Sequence, residues 1–431
     1  MLDKLKGAAS AVSSLKSKSK SDDQYIVALD IGTENVKALI GRVEGDGLRI
    51  VGTGRAHQKL TDMAAGAISD ITGVVNNCDK ALAQAEDQAG VSVRTAVIGI
   101  AGELVKGTTT TVRCTRKNPN KPLDIDEVEK IIGMVQERAE TRAKQQLAWE
   151  LGGKEVEIRL VNSALVNIDI DGYPVSNPLG FQGKEVLVQL YTAFAPMIHI
   201  GALERTAQEL DLDLLAVAAE PFAVARSIIG NNSNDNTSAI LMDVGGGTTD
   251  IAVIDEGGVQ GTKMFGIGGR AFTKSIEREL GSEFEEAEEV KLSLGSNKIP
   301  QRTQHAAEDA IDKTLDVWIN GVDLALSEFE KLDNLPHRLL LCGGGSSLDQ
   351  MVDRLTKSAW YKDLPFTKKP TVSHIQPEQV SGIIDSTGSV SDHTFITAMG
   401  LLRVGLDTLG QNDSSRPAGS VRERIDRMLK V

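Results

Sequence analysis

The chain has 431 residues, 41% of them apolar and 25% charged, with 42 glycines against 12 prolines and a formal charge of −13. That length calls for two or more hydrophobic cores, and the composition is that of an ordinary soluble folded protein. Aromatic residues make up only 4%. With so few stacking platforms and a net negative charge, no direct nucleic-acid partner is expected.

Two further classes are argued against. Cys78, Cys114 and Cys342 stand far apart without a CxxC pair, against both a disulfide framework and a thiolate metal site. No run reaches the ~18 apolar residues of a membrane-spanning helix.

Residues 1–20 carry Lys4, Lys6, Lys16, Lys18 and Lys20 against the single Asp3. At helical spacing Met1, Leu2, Leu5, Ala8, Ala9, Val12 and Leu15 share one arc, so this basic extension reads as amphipathic. A first lobe follows at 21–90. Its strands are Tyr25 to Ile31 and Val36 to Val43, joined through a Gly32-Thr33 turn, and a helix runs from about Ile68 to Ala89.

Residues 91–189 read as a separate small α+β unit that opens with the strand VSVRTAVIGI. Its helix is capped by Asp124 or Asp126 and continues through Val128, Ile131, Ile132 and Val135. Strands at 155–170 and 184–194 follow. The first lobe resumes at 190–236, with helices near 197–210 and 220–229 and a polar boundary loop at 231–236.

A second strand-turn-strand unit fills 237–270. The segment 271–333 is helical, with an acidic run at 283–289 on a solvated face. Residues 334–387 return to α/β structure through RLLLCGGGSS, and 388–410 return to the first lobe. Residues 411–420 read as a linker. The last segment, 421–431, places Val421, Ile425, Met428 and Leu429 on one arc beside Arg422, Arg424, Arg427 and Lys430. Both ends are therefore candidates for contact with an anionic lipid surface. Frayed tails, or short helices docked on their own domain, are the alternatives.

The chemistry is concentrated in three glycine turns, each placed after an apolar strand. They are Asp30-Ile31-Gly32-Thr33, Asp243-Val244-Gly245-Gly246-Gly247-Thr248-Thr249-Asp250, and Gly343-Gly344-Gly345-Ser346. Glycine lets backbone N–H groups approach phosphate oxygens, and a nearby aspartate suits an accompanying Mg²⁺. Neither a GxxxxGK[ST] loop nor a GxGxxG fingerprint is present, so the turns are nests of another kind. Two halves that open with the same strand-glycine-strand device form an internal repeat.

These motifs resemble the actin-like ATPase superfamily and, within it, the FtsA family of bacterial cell-division proteins. The resemblance is carried by ALDIGTENVKALIG, MDVGGGTTDIAV, LLCGGGSSLDQM, AAGAISDI, AEEVK and NPLGFQG. It implies an actin-like two-lobed α/β fold of ribonuclease-H-like repeats, with a small α+β subdomain inserted early in the first lobe. It implies ATP and Mg²⁺ as ligands, with Asp30 and Asp243 flanking the metal through water. Gly32, Thr33, Gly245, Gly246, Gly247 and Thr248 would surround the phosphates. Glu288 and Lys291 would hold the sugar, and Gly344 and Gly345 the adenosine.

Glu220, in Ala219-Glu220-Pro221, is the candidate for orienting the attacking water and completes a catalytic set with Asp243 and Asp30. Its alternative role is that of an N-cap acid. The glycine of Met399-Gly400 serves close helix packing. By resemblance the chain polymerises with itself, and tethers tubulin-like FtsZ filaments to the membrane through a contact in 271–333. The lipid anchor would be 421–431, with 1–20 as an added or substitute anchor. A PilM-like scaffold of type IV pilus assembly and a segregation-type filament are the rival readings.

Overall fold

The computed structural model describes residues 24–229, 236–296 and 298–412. Both terminal segments, the proposed lipid anchor among them, lie outside the described residues, as does most of the loop at 231–236.

The apolar run Tyr25–Ile31 is β1. It continues through Asn35–Glu44 (β2) and Gly47–His57 (β3), with each strand antiparallel to the one before. A two-residue hairpin, Met63–Ala64 (β4) with Ala67–Ile68 (β5), leads to the helix Ile71–Ala89 (α1). Asp70 caps α1 by accepting from the Thr72 N–H, and Gly90 ends it in the left-handed region.

Thr95–Ile100 (β6) pairs in parallel with β1, so it belongs to the first sheet and not to the inserted unit. The boundary expected at 91 is therefore corrected. The start of VSVRTAVIGI is tied to α1, because the Val93 N–H donates to Glu86 Oε1 at 2.8 Å before the strand begins.

The inserted unit comprises Lys106–Thr115 (β7), Ile125–Glu150 (α2), Ile158–Ile170 (β8), Tyr173–Pro174 (β9) and Glu185–Pro196 (β10). Of the two capping candidates, Asp124 is the cap of α2. The buried Arg116 guanidinium holds the unit together. It forks onto both Glu127 carboxylate oxygens at 2.8 Å and reaches the carbonyls of Lys121 and Gly183. Met197–Glu209 (α3), Asp213–Ala219 (β11) and Glu220–Ile228 (α4) return to the first lobe.

The second half opens with Ala239–Val244 (β12), Thr249–Asp255 (β13) and Gly258–Phe265 (β14). Three helices follow, Gly269–Leu280 (α5), Phe284–Leu292 (α6) and Gln301–Ser327 (α7), then Arg338–Cys342 (β15), Asp349–Lys357 (α8) and Thr371–His374 (β16). Ile383–Asp385 (β17) pairs with β3, so the chain re-enters the first sheet before the expected position 388. Ile396–Asn412 (α9) extends two residues into the segment read as a linker.

The first sheet runs β11-β6-β1-β2-β3-β17 and the second β16-β15-β12-β13-β14-β7-β10-β8-β9. The inserted sheet is thus continuous with the second lobe, through Thr108 and Gly107 opposite Gly261 and Thr262. One apolar core fills the first lobe and extends to Leu241, Ala252 and Leu340 of the second sheet, and two others fill the far side of the second lobe and the inserted unit.

Helices α4 and α9 cross at Gly400. A β-carbon there would lie 2.3 Å from the Ala223 carbonyl oxygen, so only glycine permits the approach. Gly400→Ala is expected to lower stability by about 1–3 kcal/mol, the usual cost of overpacking. Urea unfolding checks this as a lower midpoint at unchanged m-value.

Candidate functional site

Strand register sets the electrostatics of the site. In the first hairpin Lys37 is the cross-strand partner of Asp30, and its Nζ donates to Asp30 Oδ2 at 2.9 Å. In the second hairpin the equivalent pairing puts Asp250 opposite Asp243. Opposite charges across a strand pair stabilise it and like charges destabilise it. The first hairpin is thus internally neutralised, whereas the second is not.

The two turns meet face to face. A β-carbon on Gly247 would lie 2.8 Å from Thr33 Oγ1, and one on Gly246 would lie 2.9 Å from Glu34 Cβ. Arg270, from the second lobe, bridges them: its Nε donates to Glu34 Oε2 and its Nη2 to the Thr33 carbonyl, both at 2.7 Å. Among the described residues, no acceptor within the chain meets the N–H groups of Gly32, Thr33, Gly246 or Gly247. Two opposed turns with unused N–H donors form a concavity suited to an anion.

The third turn joins them because β15 lies parallel to β12, with Cys342 beside Asp243. Behind it, Lys291 Nζ donates to Thr273 Oγ1 at 2.8 Å and to the Gly269 carbonyl at 3.2 Å, while the Gly269 N–H donates to the Gly245 carbonyl. Glu288 Oε2 accepts from Thr273 Oγ1 and pairs with Lys291 at 2.7 Å. Glu288 is therefore turned inward, while Glu285, Glu286 and Glu289 of the same helix are exposed. The space over Gly344 is open.

Glu220 is the first residue of α4, and Ala219 caps the helix without a side-chain bond, so the N-cap role is not the one observed. Its carboxylate lies over β6, where a β-carbon on Gly99 would meet Oε1 at 2.7 Å. Burial first, and then the charges of Asp30, Asp250 and Asp243, push its pKa well above the ordinary carboxylate range. Asp250 is raised in the same way, by burial and then by Asp243. Burial also raises Asp243, opposed by the hydrogen bond its Oδ2 accepts from Thr397 Oγ1. Burial pulls Lys37 down, but Asp30 and then Asp243 more than offset it, and the ammonium is stabilised. One buried ammonium thus faces four carboxylates, and Asp250 Oδ1 is buried with no partner. Such a cluster accepts protons or a cation.

Comparisons with known proteins bear on the fold and on the family. The profile of the family described as "Cell division protein FtsA" matches residues 240–400. The FtsA of Pseudomonas aeruginosa is 25% identical over 418 residues, covering 92% of this chain and 93% of that protein. The FtsA of Neisseria meningitidis is 24% identical over 427 residues, covering 94% and 95%. Over nearly its whole length the chain is thus similar to FtsA proteins. Its fold is the two-lobed actin fold, also seen in the solved PilM-PilN type IV pilus biogenesis complex. That structure matches with a TM-score of 0.63 at 16% identity, over 88% of this chain and 98% of the other.

Of the residues expected around the nucleotide, Thr33, Gly246 and Gly247 lie where the two turns meet, while Gly245, Gly345 and Lys291 adjoin Gly269. Four further residues were not singled out: Glu34, Lys37, Arg270 and Thr397. Glu34 and Lys37 lie inside a quoted motif, and the pairing of Lys37 with Asp30 was recoverable from hairpin register. Arg270 and Thr397 are brought in by tertiary contacts with no local sequence signal.

The raised carboxylates make a definite prediction. A group whose pKa is raised by folding contributes stability below its ordinary pKa, near 4, that is lost as pH rises through the folded value. Without nucleotide, Asp250→Asn is therefore expected to raise the melting temperature by several degrees near pH 8 and by little near pH 4. Paired melts of variant and parent across that range check the sign.

Proposed function

We propose that this protein is a member of the FtsA family and that it binds Mg·ATP between its lobes, polymerises, and couples FtsZ filaments to the cytoplasmic face of a membrane during division. The observation carrying the nucleotide part is the close packing of the Asp30 and Asp243 turns, where the N–H groups of Gly32, Thr33, Gly246 and Gly247 meet no acceptor among the described residues. Spread phosphate charge requires such donors together with a cation.

The residues fit a hydrated Mg²⁺. Asp250 Oδ1 is orphaned, and three buried carboxylates carry raised pKa values. Among the described residues no three side chains stand close enough to ligate a bare metal ion. Asp30 and Asp243 would therefore hold the ion through water, as is usual for Mg²⁺ on phosphates. When bound, the ion supplies charge neutralisation at the phosphates. In this arrangement Gly32, Thr33 and Gly245 through Thr248 would hold phosphate, Glu288 and Lys291 the sugar, and Gly344 and Gly345 the adenosine.

Glu220 is assigned to orient water. Its excess proton affinity comes from burial and from the neighbouring aspartates, so a cation among them releases the carboxylate for hydrogen bonding. Lobe closure over nucleotide would favour one polymer geometry, a shift in population between conformations.

For the FtsZ contact, the segment 271–333 offers the exposed apolar side chains Leu292, Val317 and Leu324. The lipid contact is assigned to 421–431, with 1–20 as a second anchor, on their amphipathic patterns. No described helix is long and apolar enough to cross a membrane. The PilM likeness concerns fold, whereas the sequence relatives carry the division reading.

Calorimetry should show Mg-dependent ATP uptake that Asp243→Ala weakens by about tenfold or more, the scale of one lost charged contact. Glu220→Gln should bind nucleotide as the parent does and turn it over more slowly; equal turnover would remove its catalytic role. Co-pelleting with FtsZ on anionic liposomes should succeed with Mg·ATP, weaken after deletion of 421–431 and fail when 1–20 is removed as well. Absence of FtsZ recruitment by the full chain would contradict the tethering reading.

A further inference from the structure

A second, unrelated site lies on the inserted unit. β10 pairs with β7 along its whole length, from Lys106 to Thr115. On the other side, β14 pairs only at Gly107 and Thr108 and then diverges. From Thr110 onward, no described strand pairs with that edge. Beside it opens a groove of about 840 Å³, walled by α2 and closed at one end by Lys331 of the second lobe.

The groove is basic in an acidic chain. Arg138 and Arg142, four residues apart on α2, both line it, and neither has an ion pair among the described residues. Lys331 Nζ donates to the Thr109 carbonyl at 3.2 Å, and its pKa is pulled down by burial and then by the charges of Arg142 and Arg138. Glu137 is the one carboxylate in the lining. Thr110 also lines the groove, is 4% exposed, and its Oγ1 is buried without a partner. An unsatisfied buried hydroxyl beside three unneutralised cations points to a missing acceptor-rich ligand.

We propose that this groove binds an extended acidic peptide segment of a partner protein, which adds as a strand along the free edge of β7 with its carboxylates against Arg138, Arg142 and Lys331. The open edge supplies main-chain hydrogen bonds, and alternate side chains supply specificity. Residues 110–115 offer about 20 Å of edge at the usual rise per residue. A space of this size and a bare strand edge suit a peptide, whereas a free phosphate would use only the basic end.

The probe is a fluorescein-labelled eight-residue peptide alternating glutamate and threonine, titrated against the full chain by anisotropy at low salt. The expected result is saturable binding that Arg138→Glu with Arg142→Glu weakens at least about tenfold, as reversal of two steering charges should. Both arginines are exposed, and unchanged thermal melting shows that the double variant is folded. Methylation of alternate backbone nitrogens in the probe should also abolish binding, whereas Asp243→Asn in the protein should leave it unchanged. Equal affinity for the double variant, equal affinity for the methylated probe, or displacement of the probe by equimolar tripolyphosphate would each overturn the proposal.

Discussion

The structure depends on an electrostatic imbalance built by strand register. Each half of the molecule presents a hairpin whose first strand ends near an aspartate. In one, the facing residue is Lys37; in the other it is Asp250. With Glu220 brought over Gly99, the centre of the molecule holds more buried carboxylate than its single ammonium can neutralise. A cluster of this kind is costly to bury and is retained where a ligand relieves it.

The fold serves to bring those charges together. Arg270 reaches from the second lobe onto the Thr33 carbonyl and Glu34, so the two turns are joined before any ligand arrives. Thr397, at the start of α9, reaches from the returning C-terminal segment to Asp243. The close crossing at Gly400 holds α9 against α4, the helix that begins with Glu220. The groups of the site are thus anchored by helices whose own cores lie in different lobes, and relative motion of the lobes changes their spacing.

Much of this was legible in the sequence. The apolar strands before Gly32, Gly245 and Gly343 announced themselves by composition, and the helix read from about 68 to 89 by its period. The Asp70 cap that starts it at 71 is seen only in the structure. What could not be read depended on partners distant in sequence. The run VSVRTAVIGI looked continuous with the inserted unit, yet its strand lies between β1 and β11, which only parallel pairing across long separations could decide. The junction of β7 with β14 rests on two residue pairs about 150 positions apart, and no local pattern signals it. Glu288 resembled its exposed neighbours until Thr273 on α5 and Lys291, three residues along α6, fixed its direction. Lys37 and Asp250 were visible in the motifs, but their roles depended on which residue each faced.

The central claim is that the two hairpin turns act on one shared ligand. Hydrogen–deuterium exchange with and without Mg·ATP tests it most directly, because it reports on backbone N–H groups themselves. The account predicts joint protection of residues 32–35 and 245–249, together with 343–346, lost when magnesium is chelated. Protection confined to the turns of a single lobe, or none at all, would contradict it.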